Sequence, residues 1–313
     1  MNSLPNIGHS VFQRFLNRAK KDKEDFNLLL QRFGVERFLY RLSISKHAQR
    51  FILKGANLLF VWKGQNYRVT KDIDLAGIGE ADTNIIRRVF QEICQISSPL
   101  DDGIRFLADT VQVEEIREEA PYGGMRVKLT GYLHNARIHL QVDIGFGDLV
   151  KPDPEIVHYP TLLDMPAPVL KAYQKYTFIA EKFEAMVQLG IANSRMKDFF
   201  DVWLLPQLLE FNGKVLADTI VTTFERRKTK IPVEKFPFVF TKDFRDDPQK
   251  QAQWKAFIRN AKPVPIIEDF SELISEIADF MMPVLEQIKN PGLDLFQWQP
   301  GKGWIQKTVK NEE

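Results

Sequence analysis

Residues 51–76 read FILKGANLLFVWKGQNYRVTKDIDLA, and this stretch decides the fold. Its pattern predicts an apolar strand, a Lys-Gly turn, an apolar helix, a basic polar loop and a second strand that carries two acids. In the second strand, Asp72 and Asp74 alternate with Ile73 and Leu75. Side chains alternate between the two faces of a strand, so both carboxylates project to one side while the aliphatic side chains enter the core.

Two carboxylates side by side on a strand repel each other and favour a cation between them. We therefore predict a site for a hard divalent metal, Mg²⁺ or Mn²⁺, which takes oxygen ligands and leaves positions open for phosphates. An isolated D-x-D is usually two solvent-facing acids. Here the preceding Gly55 and a later acid, Asp143, favour the metal site. Asp143 itself has two interpretations, a turn-former before GFG or a third metal ligand.

The composition is that of an ordinary globular protein with room for two domains: 313 residues, 44% hydrophobic and 27% charged. The formal charge of +2 gives no strong case for nucleic acid, although it leaves room for a local basic groove. The single Cys94 excludes an intrachain disulfide, and five scattered histidines without a Cys/His cluster argue against zinc. Without a signal peptide or an apolar run of roughly 20 residues, we expect a cytoplasmic protein with no membrane contact.

The chain divides by its patterns into three parts. Residues 10–50 are predicted to be helical, with Gly34 separating two helices, and 151–168 carry five of the 17 prolines, which is typical of a linker. The expected domains are an N-terminal helical cover over 1–50, a core over 51–160 and a helical domain over 161–313.

A long hairpin is predicted within the core, from Met125 to Leu133 and from Arg137 to Phe146. Arg126 and Lys128 share one face of its first arm. They are either cross-strand charge partners or contacts to the phosphate of an acceptor.

The order of strand, glycine turn, helix, D-x-D strand and later acidic strand resembles the nucleotidyltransferase superfamily of DNA polymerase β. Gly55, Asp72 and Asp74 match its pattern, whereas Ala56 stands where Ser or Gly is commoner. The resemblance implies an α+β fold, in which a polymerase β-like core with a mixed sheet flanked by helices precedes a C-terminal all-helical domain. It also implies two metal ions held by Asp72, Asp74 and Asp143, which align the α-phosphate with an attacking hydroxyl.

A closer resemblance, to the AbiEii/AbiGii toxin family, spans roughly residues 50–210. It rests on the strings LKGANLLFVWKGQNYRVTKDIDLAG, ARIHLQVDIGFGD, YPTLLDMPAPVLKAY and AEKFEAMVQLGIANSRMKDFFDVWLL. It implies an NTP substrate, a tRNA 3′ end as acceptor for some members, and an AbiEi-type winged-helix antitoxin as partner. The residues that it assigns to catalysis or nucleotide binding, besides the metal ligands, are Lys54, Gly55, Ala56, Arg68, Thr70, Lys182 and Asp198.

The residues of the C-terminal part have alternatives. Lys182 is either a phosphate-facing cation or a surface lysine with a buried stem. Asp198 is either functional or a first-turn acid favoured by the helix dipole, and we rank it above Asp201, which is expected to pair with Lys197 on the surface. The run ERRKTK at 225–230 is either an RNA contact or a solvated charge run.

The sequence leaves three functions open. The leading one is a Mg²⁺-dependent transfer of a nucleotide to tRNA by a growth-arresting toxin. The second keeps this chemistry with a protein or a small molecule as acceptor. The third is a nucleotide-binding regulatory module without turnover.

Overall fold

The computed structural model describes residues 6–64, 67–116, 123–147, 150–292 and 296–306. They fall into two units. Unit 1 contains 6–64, 70–116, 123–147 and 154–172, and unit 2 contains 67–69, 150–153, 173–292 and 296–306. The domain limits expected from the sequence stay predictions.

The described part of unit 1 consists of four α-helices and seven strands. Its helices are α1 (Ile7–Asp22), α2 (Phe26–Ile44), α3 (Asn57–Lys63) and α4 (Thr83–Cys94). Its strands are β1 (Phe51–Lys54), β2 (Ile73–Gly77), β3 (Ile104–Ile116), β4 (Gly124–Leu133), β5 (Ala136–Phe146), β6 (Glu155–His158) and β7 (Val169–Ala172). A 3₁₀ turn at Ala48–Arg50 leads into β1.

The seven strands form one mixed sheet in the order β3-β4-β5-β2-β1-β7-β6. The pairs β2–β5 and β1–β7 are parallel, and the other neighbours are antiparallel. The predicted α+β class with a mixed sheet is therefore confirmed. Strand β2, which contains Asp74 and directly follows Asp72, lies between β1 and β5, so that the Lys-Gly turn and the acid of the hairpin are its neighbours.

Helix α2 runs without a break, so the predicted separation at Gly34 is wrong. A Cβ at this position would lie 2.7 Å from Cγ2 of Ile138 in β5. The glycine therefore permits a close approach of helix to sheet, a role that a single sequence does not distinguish from a helix end.

The proline-rich segment 151–168 is only partly the structureless linker that the sequence predicts. It contains β6, which pairs with β7 at one edge of the sheet. Alternation is hard to recognise in four-residue strands, and prolines are tolerated at sheet edges.

Unit 2 is mainly helical, as the sequence predicts. Its helices are α5 (Lys175–Leu189), α6 (Met196–Leu208), α7 (Gly213–Arg227), α8 (Lys242–Arg245), α9 (Pro248–Ala261) and α10 (Phe270–Lys289), with 3₁₀ turns at Gly190–Ala192 and Phe238–Phe240. The strands β8 (Phe211–Asn212), β9 (Phe296–Gln299) and β10 (Gly303–Gln306) add a small antiparallel sheet that the sequence patterns did not indicate. None of the helices within the described ranges is both long and apolar enough to cross a bilayer.

Candidate active site

Four charged residues form a row across adjacent strands of unit 1. Lys54 on β1 lies opposite Asp74 on β2, Asp74 lies opposite Asp143 on β5, and Asp143 lies opposite Arg126 on β4. Because residues paired in register project to the same face of a sheet, the four side chains share one face. The two acids occupy the middle of the row and the two cations its ends.

The Lys-Gly turn places backbone directly against the Asp74 side chain. Gly55 has φ +70°, and a Cβ added there would overlap the Asp74 carboxylate. The position therefore requires glycine twice, for its left-handed backbone and for the space that the carboxylate occupies. Gly55 and Asp74, which both match the nucleotidyltransferase pattern, are thus in direct contact in this fold.

Asn57 holds the backbone at the other acid of the pair. Its Nδ2 donates to the carbonyl of Asp72 at 2.8 Å, and its Oδ1 accepts from the Tyr159 hydroxyl at 3.1 Å. Asn57 is buried at the start of α3. The sequence reading missed it, although a polar residue at the head of the apolar run NLLFVW was a signal.

The structure answers the question left open for the hairpin. Arg126 donates from Nε and Nη2 to the two carboxylate oxygens of Asp143, both at 2.8 Å, so it is a cross-strand charge partner. Lys128 pairs instead with Glu114 at 2.7 Å, and both side chains are about half exposed. The hydrogen bonds to Asp143 raise the pKa of Arg126, with further contributions from the negative charges of Asp143, Asp72 and Glu114.

The D-x-D acids and Asp143 are the predicted ligands of a divalent cation. Asp72, directly before β2, and Asp74, within it, are half-buried carboxylates, the kind of donor that Mg²⁺ prefers. Both oxygens of Asp143 accept hydrogen bonds from Arg126, however. Among the residues that the structure describes, no three His, Cys, Asp or Glu side chains are grouped to hold a metal. The three-carboxylate metal site therefore stays a prediction.

Unit 2 contains a second charge cluster, centred on Lys182. Its ammonium donates to Asp198 Oδ1 and lies 2.9 Å from Asp201 Oδ2. Both aspartates are buried, and the Lys182 side chain is only 12% exposed. Lys182 is therefore not the solvent-exposed lysine that helix geometry allowed, and Asp198 is more than a first-turn acid.

Asp201 was expected to pair with Lys197 on the surface, and this expectation is wrong. Its carboxylate accepts from Arg68 Nε at 2.7 Å and Nη2 at 2.8 Å, in addition to its contact with Lys182. Arg68 was assigned to the phosphates, but in this structure its guanidinium holds Asp201. Arg195 pairs with Asp198 at 2.6 Å and completes the cluster of three cations and two carboxylates.

The pKa shifts within this cluster follow from competition between burial and charge. Burial has the largest influence and opposes ionisation of all three groups, but the attraction between them outweighs it. The pKa of Lys182 is consequently raised, mainly by Asp198 and Asp201. That of Asp198 is lowered to about 2 by Lys182 and Arg195, and that of Asp201 is lowered by Arg68 and Lys182.

The remaining predicted residues lie in different places. Lys54 and Thr70 are half-buried in unit 1, and Ala56 is buried at the start of α3. In the run ERRKTK, Arg227 pairs with the buried Glu184 at 2.7 Å, so this run is not simply a solvated face.

Comparison with known proteins identifies the class of enzyme. A family model described as "Nucleotidyl transferase AbiEii toxin, Type IV TA system" matches residues 37–276. The chain belongs to this family. It is a nucleotidyltransferase, as the sequence predicted, and a type IV toxin–antitoxin system implies an NTP substrate and an antitoxin partner.

One solved structure supports the fold. MenT4, the nucleotidyltransferase toxin Rv2826c from Mycobacterium tuberculosis H37Rv, is similar with a TM-score of 0.51 and 16% identity, over 92% of this chain and 99% of that one. JHP933 from Helicobacter pylori has a TM-score of 0.47 and 15% identity, over 89% of this chain and 94% of that one. A search of curated protein sequences gives no match.

Proposed function

We propose that this AbiEii-family toxin transfers a nucleotide from an NTP to the 3′ end of tRNA in a Mg²⁺-dependent reaction. The observation that supports it most is the contact between the Gly55 turn and the Asp74 carboxylate, within the charged row of unit 1. This contact brings the glycine turn typical of phosphate-binding sites against an acid of the D-x-D pair. The tRNA acceptor comes from the family resemblance.

The proposed reaction is a nucleotidyl transfer. The acceptor hydroxyl oxygen forms a bond to the α-phosphorus while the bond from that phosphorus to the bridging oxygen of the β-phosphate breaks. The hydroxyl proton is released and pyrophosphate leaves. Asp72 and Asp74 are the residues that would hold a divalent cation, which would neutralise charge on the attacking and leaving oxygens. Gly55 and Ala56 would present backbone to the nucleotide. Lys54 directly precedes this turn, and Thr70 lies two residues before Asp72.

Lys182 and Asp198 are included in the proposal on the family pattern and on their geometry in unit 2. Because its pKa is raised, Lys182 stays protonated at neutral pH. Two buried aspartates fix its ammonium group. We propose that Lys182 contributes positive charge to the nucleotide's phosphates, while Asp198 and Asp201 hold it in place.

The antitoxin is proposed to be an AbiEi-type winged-helix protein. Its expression together with this chain is expected to restore growth that the toxin alone arrests. Unchanged growth arrest on co-expression contradicts this choice of partner and leaves the enzymatic proposal standing.

A labelling experiment tests the proposed function. The purified chain is incubated with each of the four α-³²P-labelled NTPs and a total cell extract, with Mg²⁺ or with EDTA, and RNA, protein and small molecules are separated. We expect label in tRNA, with Mg²⁺ only. Label in protein or in a small molecule assigns the same chemistry to another acceptor and contradicts the tRNA proposal. No transfer from any NTP contradicts the proposal as a whole.

The matched variants of this experiment are Asp72→Asn and Glu80→Gln. The first removes a charge from the proposed metal site, and the second removes one from an exposed position after β2. Transfer is expected to be lost in the first and retained in the second.

A further inference from the structure

Asp143, the second acid of the row, is already paired with a cation of the protein itself. Asp143 accepts two bonds of 2.8 Å from Arg126, and Gln141 Nε2 lies 3.4 Å from its Oδ2. A bidentate guanidinium–carboxylate pair of this kind is among the strong hydrogen-bonded contacts in proteins. The Asp143 side chain is 17% exposed and that of Arg126 33%, so water competes only partly for either group.

The register of the sheet places Arg126 and Asp143 opposite each other. They are direct partners in the antiparallel β4–β5 ladder, at the third pair from its open end. In order to move away, Arg126 would have to give up two hydrogen bonds of 2.8 Å to a partially buried carboxylate. The backbone register therefore holds a permanent positive charge beside the acidic pair.

The positive charge of Arg126 affects how many divalent cations the site around the D-x-D acids can hold. A metal ion on Asp143 would compete with Arg126 for the same oxygens and would lie close to a guanidinium of like charge. The negative charge of Asp72 also contributes to the raised pKa of Arg126, so the guanidinium lies within electrostatic range of Asp72. Asp74 is the in-register neighbour of Asp143, so the Arg126–Asp143 pair lies on the strands next to this proposed ligand as well.

We propose that the site holds one divalent cation, on Asp72 and Asp74, and that Arg126, fixed by Asp143, supplies the positive charge that a second cation would bring. Asp143 is then a positioning residue for Arg126 and not a metal ligand. This inference rests on the proposed function, because it assumes that a divalent cation binds at the D-x-D pair.

The test is a Mn²⁺ titration of the full-length protein, followed by electron paramagnetic resonance, without and with non-hydrolysable analogues of the four NTPs. We expect one Mn²⁺ per chain with the spectrum of an isolated ion. Arg126→Gln, which frees Asp143, is expected to bind a second Mn²⁺ and to show spin coupling between the two ions. Lys128→Gln, on the same strand face, is the matched control and is expected to keep one.

A charge-balanced double variant makes the test independent of net charge. Arg126→Gln combined with Asp143→Asn removes one charge of each sign, and its Mn²⁺ affinity is expected to stay within about threefold of the wild type. If Asp143 is a ligand, the double variant loses about tenfold or more. The same comparison decides the question if Arg126→Gln alone does not fold.

The outcomes separate this inference from the function on which it rests. Two coupled Mn²⁺ ions in the wild type, or a single ion in a folded Arg126→Gln variant, overturn the proposed role of Arg126. No Mn²⁺ bound to the wild type under any of these conditions overturns the metal-dependent function itself.

Discussion

The guanidinium of Arg68 and the carboxylate of Asp201 form two hydrogen bonds, of 2.7 and 2.8 Å, although 133 residues separate them in the sequence. Both side chains are buried, and Asp201 also lies 2.9 Å from the ammonium of Lys182. One carboxylate thus holds two cations inside unit 2. Removing its charge takes one carboxylate partner from each of these buried cations.

We therefore expect Asp201→Asn to lower the free energy of unfolding by about 3 kcal/mol, the cost of breaking a buried ion pair by removing one partner. Urea denaturation of the purified variant measures this. Asp218→Asn is the control, because Asp218 pairs with Lys214 at 3.3 Å with both side chains about 65% exposed. Asp218→Asn should lower the free energy of unfolding by no more than about 1 kcal/mol. An equally small decrease for Asp201→Asn contradicts the expected role of the buried cluster.

The acid dependence of stability follows from Asp198. Its pKa of about 2 lies below the roughly 3.9 of an unfolded chain. Its contribution to stability is therefore fully present above the unfolded value and is lost as the pH falls from about 4 through 2. We expect the stability gap between wild type and Asp198→Asn to shrink by about 2 kcal/mol from pH 6 to pH 2.

Urea denaturation at a series of pH values measures this gap. Subtracting the variant from the wild type removes the contributions of other acids. A gap that stays constant from pH 6 to pH 2 shows that Asp198 is not stabilised by its cationic neighbours.

A comparison of alanine variants at two glycines of unit 1 distinguishes the effect of backbone strain from the effect of the contact with Asp74. Gly55 and Gly64 both have positive φ, +70° and +68°, but a Cβ at Gly64 would meet nothing within 4 Å. Gly64→Ala is expected to cost about 1 kcal/mol of stability and to leave nucleotide transfer unchanged. Gly55→Ala should cost more and lower transfer at least about tenfold, since its Cβ displaces the Asp74 carboxylate.

Thermal unfolding and initial rates of label transfer measure the two effects. Equal losses of activity in the two alanine variants indicate that strain alone is responsible. In that case the contact between Gly55 and Asp74 does not contribute to nucleotide transfer.

The fold of unit 1 was largely predictable because its signals are local. The alternation of Asp72 and Asp74 with aliphatic residues identified β2, and the two arms of the hairpin followed from long alternating runs. Gly34 shows the limit of such reasoning. Whether a glycine ends a helix or admits a neighbouring strand depends on Ile138, more than 100 residues away.

The clusters of charge were harder to predict than the elements that carry them. A sequence shows that Arg126 and Asp143 lie on strands, but only the register shows that they face each other. Likewise, the i, i+4 spacing of Lys197 and Asp201 suggested a surface pair, whereas folding buries Asp201 against Arg68. Partner choice in such cases is decided by tertiary packing, which no local spacing encodes.

The central claim is that Asp74 takes part directly in nucleotide transfer, and one measurement tests it most directly. Initial rates of label transfer from the preferred NTP are compared between wild type and Asp74→Asn, with Glu80→Gln as control and circular dichroism to verify folding. The account predicts a loss of about a thousandfold for Asp74→Asn, because a bound metal supplies several kcal/mol of transition-state stabilisation. A folded Asp74→Asn protein that transfers label at the wild-type rate would contradict it.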